Sequence, residues 1–141
     1  SCGRRGCLEA YASATALIRD TKRAMEKNPE SLMWKTYTLD TVNGKTAFEY
    51  KNVDESAKAV VDEYINNLAT GITNFVNIFR PEVVLLGGGV CAEGDNLIVP
   101  LQKKVNSEMF AKDAGPESKI LIATLGNSAG TLGAASLLMI D

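Results

Sequence analysis

The chain has 141 residues, the size of one ordinary domain. Hydrophobic residues make up 45% and charged residues 23%, a globular balance that excludes a disordered tail, a collagen-like repeat and a disulfide scaffold. Fifteen Lys and Arg against seventeen Asp and Glu leave a net charge of −2, so nothing pulls the chain generally toward nucleic acid or anionic lipid. No apolar run approaches the ~20 residues that span a bilayer, and no membrane contact is expected.

In chain order, Leu8, Tyr11, Ala12, Thr15, Ile18, Lys22 and Met25 recur at three- and four-residue steps. That spacing predicts one helix over 7–27, stopped by Asn28-Pro29. Residues 29–43 have weak periodicity, with Trp34, Tyr37 and Leu39 as isolated anchors and Asn43-Gly44 as a turn. A short helix follows over 45–52. Asp54 is then a good N-cap for a long amphipathic helix whose stripe runs from Ala57 to Phe79, and Arg80-Pro81 ends it. Val83-Val84-Leu85-Leu86 reads as a strand buried on both faces, followed by three glycines and a helix over 95–110. Residues 119–124 give a second buried strand, and a last helix starts near Ser128. Strand, helix, strand, helix after a long helix predicts one α/β layered domain.

The chemistry is bounded by absences. Without histidine, this chain supplies no His-based acid–base, triad or metal chemistry. Three cysteines make no secreted framework and the N-terminus is no signal peptide, so a reducing cytosol is the expected compartment. The start at Ser1 suggests a piece of something longer.

The first candidate site is Gly87-Gly88-Gly89. Glycines at a strand's carboxyl end let backbone approach a ligand and permit positive φ, so the run favours nucleotide or phosphate over a plain packing turn. Gly87-x-Gly89-x-x-Ala92 formally matches the dinucleotide fingerprint, but its acidic partner, Glu108, falls inside a predicted helix rather than at a strand end. A mononucleotide fits better. The second candidate is Cys2-Gly3-Arg4-Arg5-Gly6-Cys7, whose glycines suit a zinc knuckle; two thiols cannot close a four-ligand site, and zinc and free thiols stay equally open. Cys91 reads as a packed thiol. Glu9 is the third candidate, a carboxylate in the first turn of the first helix that can point into a site. Arg4 and Arg5 read as solvated surface, and Asn127 or Ser128 as a cap for the last helix.

These same residues resemble a known family. Ser1 to Glu9 resembles the C-x-C-G-x-x-G-C-x-E zinc-knuckle signature of the ROK family of repressors, open reading frames and sugar kinases. Leu85-Leu86-Gly87-Gly88-Gly89-Val90 resembles its adenosine motif, and Leu125 to Ala135 its final strand–helix turn. The order and spacing of all three agree, and the likeness is greatest to the family's bacterial glucokinases.

The resemblance implies an actin-like, hexokinase-like lobe that phosphorylates a hexose, glucose at its C6, with ATP and Mg²⁺. Gly87, Gly88 and Gly89 then match the adenosine site, Glu9 the sugar ligand, and Cys2 and Cys7 two ligands of a structural Zn²⁺. The resemblance also implies an N-terminal lobe, absent from this sequence, that carries the phosphate loop and the general base. The 141 residues alone are therefore not expected to turn over. Ser128 stands where many relatives carry Asp. Two alternatives are a sugar-sensing repressor of the same family and, further off, a dinucleotide-binding enzyme. A homodimer is a further possibility, with the long helix, Trp34 and Tyr37 leaving room for an interface.

Overall fold

The computed structural model describes residues 3–110 and 117–139. Its longest element, the 25-residue helix α4 (Glu55–Phe79), begins on the predicted cap. Asp54 lies in extended backbone, and one carboxylate oxygen accepts the Ala57 amide at 3.0 Å. The other oxygen accepts the Ser31 hydroxyl at 2.7 Å and the Leu32 amide at 2.6 Å, which ties a 3-10 turn (Leu32–Lys35) to the head of α4. Burial alone would raise the Asp54 pKa. The hydrogen bonds from Ser31, Ala57, Leu32 and Ser56 outweigh it and hold the carboxyl below its ordinary value. At the far end, Arg80 adopts the left-handed conformation (φ 44°, ψ 51°) and its amide bonds the Val76 carbonyl.

The predicted helix over 7–27 is two helices: α1 (Glu9–Ala12), a single turn, and α2 (Ala14–Lys27). Ser13 breaks them apart. Its backbone is extended (φ −91°, ψ 164°) and its Oγ accepts the Ala16 amide at 3.1 Å, so a serine cap replaces what would have been one more helical residue. The short helix α3 (Thr46–Tyr50) falls inside its predicted range.

Strands β1 (Val83–Leu86) and β2 (Lys119–Ile122) pair in parallel, Val83 beside Lys119 and Leu86 beside Ile122. Between them runs α5 (Asp95–Glu108), which carries Pro100 at its sixth position. The proline has no N–H for the carbonyl of Asn96, four residues earlier; the Lys51 ammonium reaches that group, 3.5 Å from the Asn96 carbonyl and 3.0 Å from its side-chain oxygen. Helix α6 (Ala129–Ser136) follows, flanked by two 3-10 turns (Gly126–Ser128 and Leu137–Met139). Ser128 makes no cap to α6, because it already has helical φ and ψ. The Asn127 side chain lies outside the described residues.

One core joins these layers. Val61, Ile65, Ile72 and Val76 of α4 pack with Leu97, Leu101 and Val105 of α5 and with Ile120 of β2. A satellite cluster of Met25, Met33, Val42 and Ala57 explains the aperiodic stretch after α2, which is irregular yet buried. The strands depart from expectation, since neither is buried on both faces. Val83, Leu85 and Leu121 are 42%, 64% and 47% exposed, while Val84, Leu86 and Ile120 face the helices. Among the described residues, helices cover only one side of the sheet.

Asp54→Ala should lower stability by about 2 kcal/mol, because it removes a helix cap and leaves the Leu32 amide and Ser31 hydroxyl without their acceptor. Urea unfolding at neutral pH reads this loss. Since the folded pKa is depressed, the wild-type contribution is full above pH 3.8 and fades as the pH falls through the lower folded value.

Candidate active site

Beyond Leu86 the chain turns through Gly87 and Gly88 into a five-residue 3-10 turn (Gly89–Glu93). Gly88 has φ 107° and ψ 170°, a conformation that only glycine adopts without strain. Among the described residues, a Cβ on Gly87, Gly88 or Gly89 would meet no atom within 4 Å, so the run is not glycine to make room for them. The space above it is open for a ligand to approach the backbone.

This turn forms one wall of a cleft of about 170 Å³. Tyr64 and Leu68 of α4 also line it, as do Ala12, Ser13 and Ala14 at the break between α1 and α2. Helix α5 starts at Asp95, where the spacing predicts it, with the 3-10 turn between it and the glycines, and that aspartate already places negative charge in its first turn. The glycine turn thus offers backbone approach without a helix dipole behind it.

Glu9 opens α1 and is exposed. Because α1 is one turn long, no sustained helix dipole acts on this carboxylate, contrary to the sequence expectation. It lines an open hollow of about 380 Å³ together with Arg4, Cys7, Ser13 and Arg19. Ser13 is common to this hollow and to the glycine cleft, so the two candidate subsites adjoin at the break between α1 and α2. Arg5 is exposed and lines neither. Glu108 is the last residue of α5, paired with Lys104 at 2.9 Å, and does not end a strand, which removes the dinucleotide reading.

The zinc expectation finds only partial support in the backbone. Gly3 and Gly6 both have positive φ, 75° and 74°, the reversal that a knuckle requires. Cys7 is half-buried in the hollow with Glu9, whereas Cys91 lines the glycine cleft. Cys2 lies outside the described residues. Among the described residues no three His, Cys, Asp or Glu side chains come together as metal ligands, and Cys2 with Cys7 makes half a tetrahedral set. The residues at hand do not complete a zinc site.

Two residues of this region escaped sequence reading. Tyr64 is 6% exposed, and its hydroxyl donates to the Ala12 carbonyl at 3.2 Å. Burial, with Cys91 nearby, pushes its phenol up to about 12, so it stays a donor across the physiological range. The same burial raises the Cys91 thiol and keeps it protonated. Ser13 was hidden because its spacing fits a continuous helix; Tyr64 was hidden because it falls on the apolar stripe of α4.

The ROK family model matches residues 1–140. The chain belongs to the ROK family. This ROK chain is 34% identical over 140 residues to a glucokinase of Thermotoga maritima, covering 98% of the chain but 44% of that protein. In the solved structures it matches a ROK family glucokinase of Streptomyces griseus, in complex with glucose and AMPPNP. There the TM-score is 0.83 at 30% identity, over 96% of this chain and 45% of that one. It also resembles a xylose repressor of Caldicellulosiruptor bescii, 26% identical over the whole chain and 35% of that protein. The ROK chain thus spans less than half the length of these relatives. Its α/β layers are part of the actin-like fold of the ROK sugar kinases. Among the described residues no helix is long and apolar enough to cross a membrane.

Tyr64 gives this region a pH signature. The unfolded phenol ionises near 10 and the folded one near 12, so the contribution of Tyr64 is full below pH 10 and lost as the pH rises through 12. The stability advantage of wild type over Tyr64→Phe should shrink by about 2 kcal/mol between pH 10 and 12, as read by urea unfolding at each pH.

Proposed function

We propose that this chain is the nucleotide-binding lobe of an ATP-dependent hexose kinase, with glucose as the substrate and O6 as the attacking oxygen. The observation that carries the reading is the glycine turn, open to solvent at the end of β1 and strained for any residue but glycine at Gly88. The adenosine of ATP lies against Gly87, Gly88 and Gly89, whose bare backbone accepts a flat ring at close range. Glu9, across the Ser13 boundary, accepts hydrogen bonds from sugar hydroxyls with its exposed carboxylate. The Streptomyces griseus relative, solved with glucose and an ATP analogue, supports this pair of ligands.

Phosphoryl transfer rests on positioning and charge stabilisation more than on covalent chemistry. In this reading the chain holds one end of each substrate and thereby fixes their separation, which converts an encounter in solution into a bound, aligned one. Residues 1–141 act as one lobe. The base that takes the hydroxyl proton and the groups that meet the phosphates belong to a second lobe. Mg²⁺ arrives with the nucleotide and neutralises phosphate charge, and no step runs through zinc. The cytosol, where ATP is made and used, is the compartment.

The deciding experiment measures ADP release by the full-length gene product with ATP and Mg²⁺ across a panel of hexoses. Turnover that requires glucose supports the kinase. Glucose binding without turnover supports the second reading, a sugar-sensing repressor, which the xylose repressor likeness favours. No binding of sugar or ATP would end both. Within an active enzyme, Glu9→Gln should raise the glucose KM about tenfold, the worth of one charge-assisted hydrogen bond, and leave the ATP KM unchanged. An unaltered glucose KM would remove Glu9 from the sugar site.

A further inference from the structure

The turn that carries Glu9 has little structure of its own. Helix α1 has four residues, and none of them is buried. It is nevertheless fastened to its neighbours at three points. Arg19 of α2 donates to the Ala10 carbonyl at 2.9 Å, and the Tyr64 hydroxyl of α4 donates to the Ala12 carbonyl at 3.2 Å. The third point is a contact made possible by a missing side chain. The end of the Leu8 side chain lies directly over Gly71 of α4, where a Cβ would stand 2.6 and 2.7 Å from its δ-carbons and 3.2 Å from its γ-carbon. Non-bonded carbons sit no closer than about 3.5 Å at their optimum, so Leu8 keeps this place only while residue 71 is glycine.

The backbone of α4 does not itself call for a glycine there. Its φ is not positive, and it lies deep inside a 25-residue helix, where alanine is the better helix former. Tyr64 and Gly71 are seven residues apart, two helical turns, and so share one face of α4. That face also reaches the nucleotide side, since the Tyr64 ring walls the glycine cleft. One rigid helix therefore sets both the height of the Glu9 turn and one wall of the glycine cleft.

We propose that Gly71 and Tyr64 are positioning residues, which dock the Glu9 turn on α4 at a fixed place relative to the glycine turn. The proposal rests on the assignment of Glu9 to the hexose made above. Gly71 acts through Leu8, and Tyr64 through the Ala12 carbonyl. Putting a methyl group at residue 71 forces Leu8 out to solvent or lifts the turn with it. Either way the Leu8 contact is lost, and the Glu9 turn keeps only its bonds from Arg19 and Tyr64.

The test is a double-mutant cycle in the full-length protein, read as KM values for glucose and ATP. Gly71→Ala should raise the glucose KM about tenfold, as loss of alignment does, while the ATP KM stays within about twofold. Leu8→Ala should also raise the glucose KM. In the Leu8→Ala background, Gly71→Ala should add less than about twofold, because the clash that it works through is gone. Tyr64→Phe shifts the glucose KM in the same direction and serves if Gly71→Ala does not fold. Amide hydrogen exchange over residues 8–13 supplies a readout independent of sugar and should quicken in Gly71→Ala while α5 is unaffected. A wild-type protein that neither binds nor phosphorylates hexose defeats the function proposed above, and the exchange data then decide the docking alone. An unchanged glucose KM and unchanged exchange in Gly71→Ala, or effects of Leu8→Ala and Gly71→Ala that simply multiply, overturn the positioning role.

Discussion

The burial of one face of α4, from Ala57 to Val76, is the constraint on which the remaining elements depend. Helices α2, α3 and α5 all pack against it, and the sheet reaches it through Val84, Leu86 and Ile120. A helix of this length is stabilised by what packs on its apolar face more than by propensity. Its head is fixed by Asp54 and its tail by the left-handed Arg80, so α4 has a defined start, stop and rotation. Elements at its two ends, the Leu32–Lys35 turn and strand β1, are thereby held at a set separation. The glycine turn inherits its position from that arrangement, since β1 leads straight into it.

Much of this was legible in the sequence for a simple reason. Asp54, the apolar stripe after it and Arg80-Pro81 all point to the same helix, and where several local signals agree the fold follows them. The break at Ser13 was not legible because a serine fits a helical stripe as readily as it caps one. Only the extended backbone at Ser13 and its bond to Ala16 distinguish the two. The strands misled in another way. An apolar run without alternation reports the environment for which a strand is suited, and among the described residues helices cover only one side of that sheet. Residues 29–43 lacked periodicity because Met33 and Val42 are buried from turns and loops, where no repeat is imposed.

The candidate site divides along the same line. The glycines and Glu9 could be singled out because their chemistry is visible in the residue type itself. Tyr64 and Gly71 could not, because their roles arise from contacts across more than fifty residues of chain, with Ala12 and Leu8. A tyrosine on an apolar stripe reads as core, and a glycine within a helix reads as a weak point. The zinc knuckle stands between these cases: Gly3 and Gly6 adopt the bends the motif implies, while the ligands available in the chain remain two.

The glycine in the middle of α4 has a practical consequence for anyone seeking a hardier version of this protein. Schemes that rank substitutions by helix propensity, or that replace glycines to restrict the unfolded chain, would choose residue 71 among the first. The helical backbone favours alanine there, but a melting curve alone would not report whether the neighbouring turn had moved. The harm would fall on the neighbouring turn, which has no fold of its own to fall back on. Thermal screening of such a library should therefore be paired from the outset with a measure of ligand capture.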